Sequence, residues 1–260
     1  MKEIRALILG DVVGQPGCRA LFFSLDRLKK EYHPDYLIVN GENAADGFGI
    51  TPEQVDLFFS RGVDVISSGN HIWQKREIYP YLDKYDHLLR PLNYPSDTPG
   101  HGWCFVGEGD KKIAFVNIQG RVRMGGALDS PFKAMKKLIP TLRKETKTII
   151  VDFHAEDPAE KEALAAYLDG EISALVGTHT HVQTADERIW EKGTAYITDI
   201  GFTGVTKSVI GTDPDLSVRR AQTQMPLKSE IVEGDCEVNG VFISLDGETG
   251  RANKIERVRV

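Results

Sequence analysis

The chain has 260 residues, of which 41% are hydrophobic and 27% are charged, so it can bury a sizeable core beneath a charged surface. Its formal net charge of −6 disfavours an extended nucleic-acid interface, which needs a basic face, but it allows a small nucleotide whose phosphate is neutralised by a metal site. Three widely spaced cysteines without a CxxC pair argue against a disulfide framework and against a structural zinc site.

Apolar runs alternate with amphipathic stretches along most of the chain. The runs predict buried strands at residues 6–9, 36–39, 63–66, 113–118, 148–153 and 174–176. The amphipathic stretches predict helices that begin at Pro16 and Thr51, and helices over residues 131–143 and 159–168. At Thr51, the following Pro52 and Gln54 predict a capping box. This alternation of strands and helices is typical of an α/β fold.

The C-terminal region has a different pattern. Residues 230–260 carry alternating apolar residues around the turn-rich segment 246–250, which predicts an antiparallel hairpin. We therefore expect one sheet with alternating connections and a second sheet closed by this hairpin. No convincing linker and no internal repeat interrupts the chain, so residues 1–260 are predicted to form a single domain.

The N-terminal region lacks the long apolar core and the cleavage site of a signal peptide. No stretch approaches the length of a membrane span. We therefore predict a cytoplasmic protein with no membrane partner. The sequence leaves open whether it forms a homo-oligomer.

Polar side chains of metal-binding type follow the predicted strands. In chain order they are Asp11, then Glu42 and Asn43, then Asn70 and His71, then His154, and finally His179 and His181. Ligands of open α/β sheets bind beyond the carboxyl ends of the strands, so these five motifs are predicted to meet at one edge. His179 and His181 are two residues apart, so in an extended segment both side chains would point to one side.

Each residue also has a plain structural explanation. Asp11 alone would more often form a turn before a helix, and Glu42 and Asn43 could be polar loop residues. The prediction of a metal site depends on these residues taken together, because four of the seven histidines directly follow apolar strands. Asp, Glu, Asn and His bind divalent metals such as manganese, iron and zinc. A carboxylate such as Glu42 can bridge two metal ions. The two ions can then bind both the attacking and the leaving oxygen of an in-line displacement.

These motifs resemble those of the calcineurin-like metallophosphoesterases in type and in order. The shared motifs are Gly10-Asp11, Gly69-Asn70-His71, the lone His154 and the block at residues 177–181. The resemblance is closer to the bacterial YmdB-like phosphodiesterase family, whose blocks appear here at residues 10–14, 40–45, 69–71 and 177–186. It extends over nearly the whole chain, through residues 196–199.

This resemblance implies a four-layer α/β/β/α sandwich of the metallophosphoesterase type, with two divalent metal ions. Glu42 would bridge the two ions. One ion would also be bound by Asp11, Asn43 and His181, and the other by Asn70, His154 and His179. His71 would bind no metal; in the implied mechanism a metal-bridging hydroxide attacks phosphorus and His71 acts as the general acid toward the leaving oxygen.

The sequence departs from the broad family in ways that bear on the metal. Val13 occupies the position of an expected histidine ligand, for which Asn43 is the expected substitute, as in the YmdB-like branch. The bridging residue is Glu42 where the broad family has Asp, and Ile72 stands where an acidic residue often follows the Asn-His pair. A carboxamide oxygen is a harder ligand than imidazole, which favours iron or manganese over zinc.

The leading hypothesis is therefore a phosphodiesterase that acts on a small nucleotide. The resemblance suggests 2′,3′-cyclic or 3′,5′-cyclic nucleotides, although no residue of the chain reads out a base. A phosphomonoesterase could use the same core. A regulatory protein that senses nucleotide or binds a partner could retain the metal site, but it would not need His71. A metal-dependent amide hydrolase fits the Asn-His pair less well.

Overall fold

The computed structural model describes residues 2–228 and 230–260. In these ranges the chain forms thirteen strands and six α-helices. The strands are β1 (Glu3–Leu9), β2 (Asp11–Val12), β3 (Tyr36–Asn40), β4 (Val65–Ser67), β5 (Trp103–Val106), β6 (Ile113–Gln119), β7 (Ile149–His154), β8 (Ala174–Thr178), β9 (Arg188–Ile189), β10 (Ala195–Ile197), β11 (Phe202–Val205), β12 (Cys236–Asp246) and β13 (Ala252–Arg259). The helices are α1 (Gly14–Tyr32), α2 (Pro52–Ser60), α3 (Tyr79–Lys84), α4 (Pro131–Leu142), α5 (Pro158–Leu168) and α6 (Pro214–Thr223).

The strands form two sheets, so the fold is a mixed α/β fold, as the alternation predicts. The first sheet has the order β2-β11-β12-β1-β3-β4, with β13 paired to β12. In it β1, β3 and β4 run parallel, and β12 runs antiparallel to β1. The second sheet has the order β5-β6-β7-β8-β10-β9, with a parallel centre from β6 to β10.

The central strands are buried on both faces. Along β1, Leu7 packs in a cluster with α1 and α2, whereas Ile8 packs in a cluster with residues of the second sheet. Along β7, Ile150 belongs to the cluster between the sheets, and Val151 belongs to a third cluster with α4 and α5. Because neither face is solvated, these strands show continuous apolar runs instead of polar alternation.

The predicted capping box at the start of α2 is present. The Thr51 hydroxyl accepts a hydrogen bond from the Gln54 backbone N–H, and the Gln54 side chain accepts one from the Thr51 N–H. Two otherwise unpaired donors of the helix terminus are therefore satisfied.

The predicted division of the strands between sheets was wrong. The alternating strands are split between the two sheets, and the C-terminal hairpin of β12 and β13 lies in the first sheet. The hairpin itself is as expected, but β12 pairs with β1 over seven residues of each strand. Periodicity reports which faces of a strand are buried and carries no information on its pairing partner.

Within the described residues, no helix is long and apolar enough to cross a lipid bilayer. The cytoplasmic location stays a prediction.

Candidate metal centre

The candidate site lies where strands of both sheets end. Glu42 follows β3 and Asn70 follows β4 in the first sheet, whereas His154 ends β7 and His179 follows β8 in the second. Asp11 begins β2, one residue after the end of β1. The two sheets therefore bring together residues that are far apart in the sequence.

A first group of ligand atoms contains Glu42, His154 and His179. The Nε2 atom of His154 lies 3.1 Å from Oε1 of Glu42 and 3.0 Å from Nδ1 of His179. One ligand atom from each of the three residues lies within 4.8 Å of the others. Glu42 and His154 are fully buried. Three converging ligand atoms at this spacing could hold one divalent cation.

A second group contains Asp11, Asn43 and His181. The Nε2 atom of His181 lies 3.2 Å from Oδ2 of Asp11 and 3.1 Å from Nδ2 of Asn43. The Asn43 side chain turns its oxygen toward His71, 2.8 Å from Nδ1 of that ring. Its amide must therefore turn over before the oxygen can bind a cation between Asp11 and His181.

Hydrogen bonds on the far side orient two of the imidazoles. Nδ1 of His154 lies 2.9 Å from the Thr178 hydroxyl, which donates its own proton to Asp152 at 2.7 Å. Nδ1 of His181 lies 3.0 Å from the carbonyl oxygen of Ile210. A ring nitrogen engaged in this way directs the opposite nitrogen, Nε2, to the site, as metal-binding histidines require.

Two buried acceptors at the site, Oδ1 of Asp11 and Oδ1 of Asn70, have no hydrogen-bond donor among the described residues. Oδ2 of Asp11 and Oε1 of Glu42 face only imidazole nitrogens, at 3.2 Å from His181 and 3.1 Å from His154. An unsatisfied buried carboxylate oxygen is costly, because the group has lost its hydration. Carboxylate and carboxamide oxygens are ligands that divalent cations accept, so these atoms fit a bound cation.

The charges at the site are strongly coupled. Burial alone would raise the pKa of Glu42, but the neighbouring His154 and His71 hold it below its usual value. Burial alone would lower the pKa of His154, but the Glu42 carboxylate raises it to about 9. Burial and the charge of His154 lower the pKa of His179 to about 4, so its ring is neutral, as a metal ligand must be.

The segment after β8 is not extended, contrary to the prediction. His179 and His181 have positive φ angles of 98° and 63°. The two rings consequently reach different groups, His179 beside His154 and His181 beside Asp11. Left-handed backbone at two non-glycine residues is unfavourable, so it needs support from surrounding contacts.

His71 lies at the edge of both groups. Its Nδ1 is 2.8 Å from Oδ1 of Asn43 and 3.2 Å from Oε1 of Glu42. The side chain keeps about a quarter of its surface exposed, at 24%. Burial lowers the pKa of His71, although the Glu42 carboxylate partly offsets this. The ring is therefore anchored on one side and open to a ligand.

All eight residues singled out in the sequence lie in this region. Sequence reasoning missed Asp152, Thr178 and Glu156, the last of which places a carboxylate oxygen 3.3 Å from Nε2 of His179. The only available signal for Asp152 was a charged residue inside an otherwise apolar strand. Asp152 also accepts hydrogen bonds from Asn40 and Ser67 of the first sheet, so it joins the two sheets beneath the site.

The comparisons with known proteins agree with this architecture. The family model described as YmdB-like protein matches residues 7–258. The 2′,3′-cyclic-nucleotide 2′-phosphodiesterase of Bacillus subtilis (strain 168) is 44% identical over 99% of this chain and 97% of the relative. A crystal structure of a novel phosphatase from Mycoplasma pneumoniae superposes with a TM-score of 0.94 at 35% identity, covering 100% of this chain and 94% of that one.

A more distant structure shows the fold alone. A Staphylococcus aureus protein described as a 5′-nucleotidase matches with a TM-score of 0.66 at 16% identity, covering 100% of this chain and 54% of that one. The family match covers nearly the whole chain and confirms the resemblance seen in the sequence. The chain belongs to the YmdB-like family of metallophosphoesterases.

Proposed function

We propose that the chain is a metal-dependent phosphoric diester hydrolase that acts on small cyclic nucleotides. The observation that carries this proposal is the position of Glu42. Its carboxylate contacts His154 of the first ligand group, and its neighbour Asn43 contacts His181 of the second. Two adjacent ligand groups, one with Glu42 and the other with its sequence neighbour Asn43, are the arrangement expected of a two-metal hydrolase.

In this proposal Glu42 would be a ligand of both cations. Asp11, Asn43 and His181 would hold one cation, and Asn70, His154 and His179 would hold the other. Oxygen donors from two carboxylates and two carboxamides favour iron or manganese over zinc. The unsatisfied buried oxygens of Asp11 and Asn70 support the ligand set.

The cations, when bound, would neutralise the phosphate charge and activate water. The chain contributes His71, whose Nδ1 faces the Glu42 carboxylate at 3.2 Å and leaves the other side of the ring to face a leaving oxygen. The negative charge of a phosphodiester favours the protonated imidazole and thus opposes the effect of burial on its pKa. His71 would then donate a proton to the departing alkoxide.

The substrate class is proposed from the Bacillus subtilis relative, whose name specifies 2′,3′-cyclic nucleotides and the 2′ ester bond. We propose the same bond for this chain and treat 3′,5′-cyclic nucleotides as a comparison substrate. For the fold, we propose a single domain over residues 1–260 in a four-layer α/β/β/α sandwich. The support is that Ile4 and Leu245, from the two ends of the chain, share one buried cluster between the sheets with Ile150.

The test is hydrolysis by protein that has been stripped of metal with a chelator and reloaded with Mn²⁺ or Fe²⁺. Adenosine 2′,3′-cyclic phosphate, adenosine 3′,5′-cyclic phosphate and bis(p-nitrophenyl) phosphate serve as substrates. We expect turnover only after reloading. Glu42→Gln should abolish turnover and lower the bound metal, whereas the exposed Glu53→Gln should change neither.

The outcomes separate the alternative functions. Turnover of p-nitrophenyl phosphate, a phosphomonoester, without turnover of the three diesters would identify a phosphomonoesterase on the same core. Folded protein that binds two metal ions but hydrolyses none of these substrates would contradict the proposal and indicate a regulatory nucleotide-sensing or partner-binding protein.

A further inference from the structure

Phe48 is an exposed aromatic residue directly beside His71. Its side chain is 40% exposed, and its ring centroid lies 4.9 Å from that of His71 with an interplanar angle of 63°. The two rings therefore pack in an edge-to-face arrangement, while part of the Phe48 side chain still faces solvent. An aromatic surface in this position is available to a planar ligand.

The loop around Phe48 is held in place by the backbone of the candidate site. The Gly49 N–H donates to the Glu42 carbonyl oxygen at 2.6 Å, and the Gly47 N–H donates to the Asn43 carbonyl oxygen at 3.0 Å. Gly47 and Gly49 have φ angles of 84° and 80°, which glycine adopts without strain. Phe48 is thus positioned by two tight turns and does not lie on a loose surface loop.

A cleft of about 370 Å³ lies next to this ring. It is lined by Ala45, Asp46, Phe48, Lys75, Lys228, Glu230 and Ile231. The two lysines and the two carboxylates balance in charge, so the cleft does not favour a second phosphate or a polyanion. Its volume is at the lower end for small-molecule sites, which suits a single heterocycle.

The chemistry of the proposed reaction places a heterocycle at this ring. In a nucleoside 2′,3′-cyclic phosphate, the leaving oxygen is on C2′, and the base is on the adjacent carbon, C1′. A group that protonates the 2′ oxygen must therefore lie close to the base. His71 is that group in the proposed function, and Phe48 is the exposed aromatic ring that contacts it.

We propose that Phe48 is the stacking platform for the nucleobase of a 2′,3′-cyclic nucleotide, with the base seated in the adjacent cleft. This inference rests on the proposed function and adds a specificity-determining residue to it. Every base has a π-face that can stack on an aromatic ring, so we expect weak discrimination among the four bases. We also expect nucleotides to be preferred over cyclic phosphates that lack a base.

The test compares substrates with and without a base in the Mn²⁺-loaded protein. Phe48→Ala should lower kcat/KM for adenosine 2′,3′-cyclic phosphate by roughly 5- to 150-fold. It should change kcat/KM for glycerol 1,2-cyclic phosphate, which has the same type of ring diester without a base, by less than about twofold. Phe48→Tyr should retain activity on both substrates, and Phe48→Leu should behave as Phe48→Ala.

The matched control is Phe23→Ala, which removes another exposed ring, 87% exposed on α1, and should change neither substrate. Loss of activity on both cyclic phosphates in Phe48→Ala would overturn the proposal, because Phe48 would then act only by positioning His71. Unchanged activity on both would overturn it as well.

A binding measurement separates this inference from the proposed function. The affinity of adenosine 3′-monophosphate, the expected product, is measured by calorimetry for the wild type and for Phe48→Ala. Binding that weakens at least fivefold in the variant supports the stacking platform even if the wild type hydrolyses no cyclic nucleotide. Equal affinities in the two proteins would overturn the platform even if the hydrolase activity is present.

Discussion

Lys161 of α5 and Asp199 form a fully buried ion pair, with Nζ of the lysine 2.8 Å from Oδ2 of the aspartate. The ammonium group also donates to the carbonyl oxygen of Thr178 at 2.9 Å. The carboxylate accepts the backbone N–H of Thr180 at 3.1 Å and that of Gly201 at 2.9 Å. The pair therefore holds the backbone on both sides of His179 and directly before His181, and it supports the left-handed conformation of this segment.

Lys161→Met should destabilise the protein strongly. Removing one partner leaves a buried carboxylate without its counter-charge, which typically costs about 3–5 kcal/mol. Urea unfolding followed by circular dichroism gives the free energy of unfolding. The double variant Lys161→Met/Asp199→Leu should recover part of the loss, and the exposed Lys133→Met should be neutral. A single variant as stable as the wild type would show that the pair does not support this segment.

Part of the convergence of the site could be predicted from the sequence, because it follows from the polarity of parallel strands. Glu42 and Asn70 follow two parallel strands of the first sheet, and His154 and His179 end or follow two parallel strands of the second, so each pair reaches the carboxyl end of its own sheet. The contact between the two pairs comes from the packing of one sheet on the other, which the polarity rule does not give, and the ligand roles of the four residues stay predictions.

The conformations and contacts within the site could not be predicted in the same way. The left-handed φ angles of His179 and His181 depend on Asp199, which is eighteen or more residues further along the chain. The hydrogen bond from Thr178 to Asp152 depends on the pairing of β7 with β8. Such contacts are products of tertiary packing, which local patterns do not encode.

Gly69→Ala should impair metal binding while leaving the fold intact. A Cβ atom at this position would collide with the Glu42 carboxylate and with the imidazole of His154. Since both are proposed ligands of one cation, we expect at least a tenfold loss of Mn²⁺ affinity, measured by calorimetry on metal-free protein.

The matched control for this substitution is Gly125→Ala. A Cβ atom there would have no neighbour within 4 Å among the described residues, so affinity should be unchanged. Wild-type affinity in Gly69→Ala, with a circular dichroism spectrum like that of the wild type, would contradict the proposed roles of Glu42 and His154.

Bound metal should raise the thermal stability of the folded protein. A ligand at 100 times its Kd stabilises the state that binds it by about 2.7 kcal/mol, which corresponds to a Tm increase of roughly 5–10 °C for a chain of this size. Differential scanning fluorimetry of stripped protein with added Mn²⁺ measures the shift. Glu42→Gln should lose most of it and Glu53→Gln should keep it. Equal Tm increases in the wild type, Glu42→Gln and Glu53→Gln would mean that the stabilising cation binds at a site without Glu42.

His71→Ala should lower turnover in a way that depends on the leaving group. The ring lies at the edge of both ligand groups and is not itself a proposed metal ligand, so its removal should leave the metal content unchanged. An alkoxide such as the 2′ oxygen of ribose needs a proton as it departs. Loss of a general acid typically lowers the rate by about 10²- to 10⁴-fold, so we expect a decrease of that order in kcat on adenosine 2′,3′-cyclic phosphate. Nitrophenolate leaves without a proton, so turnover of bis(p-nitrophenyl) phosphate should fall far less.

The control for this prediction is His101→Ala, which removes an imidazole that is half exposed beside Asp86 and should leave both rates unchanged. Metal content is measured on each variant, because a lost cation would slow both substrates together. An equal decrease on both substrates with full metal content would mean that His71 positions the phosphate or the Asn43 amide and does not donate the proton. The ratio of the two rates therefore tests the acid role directly.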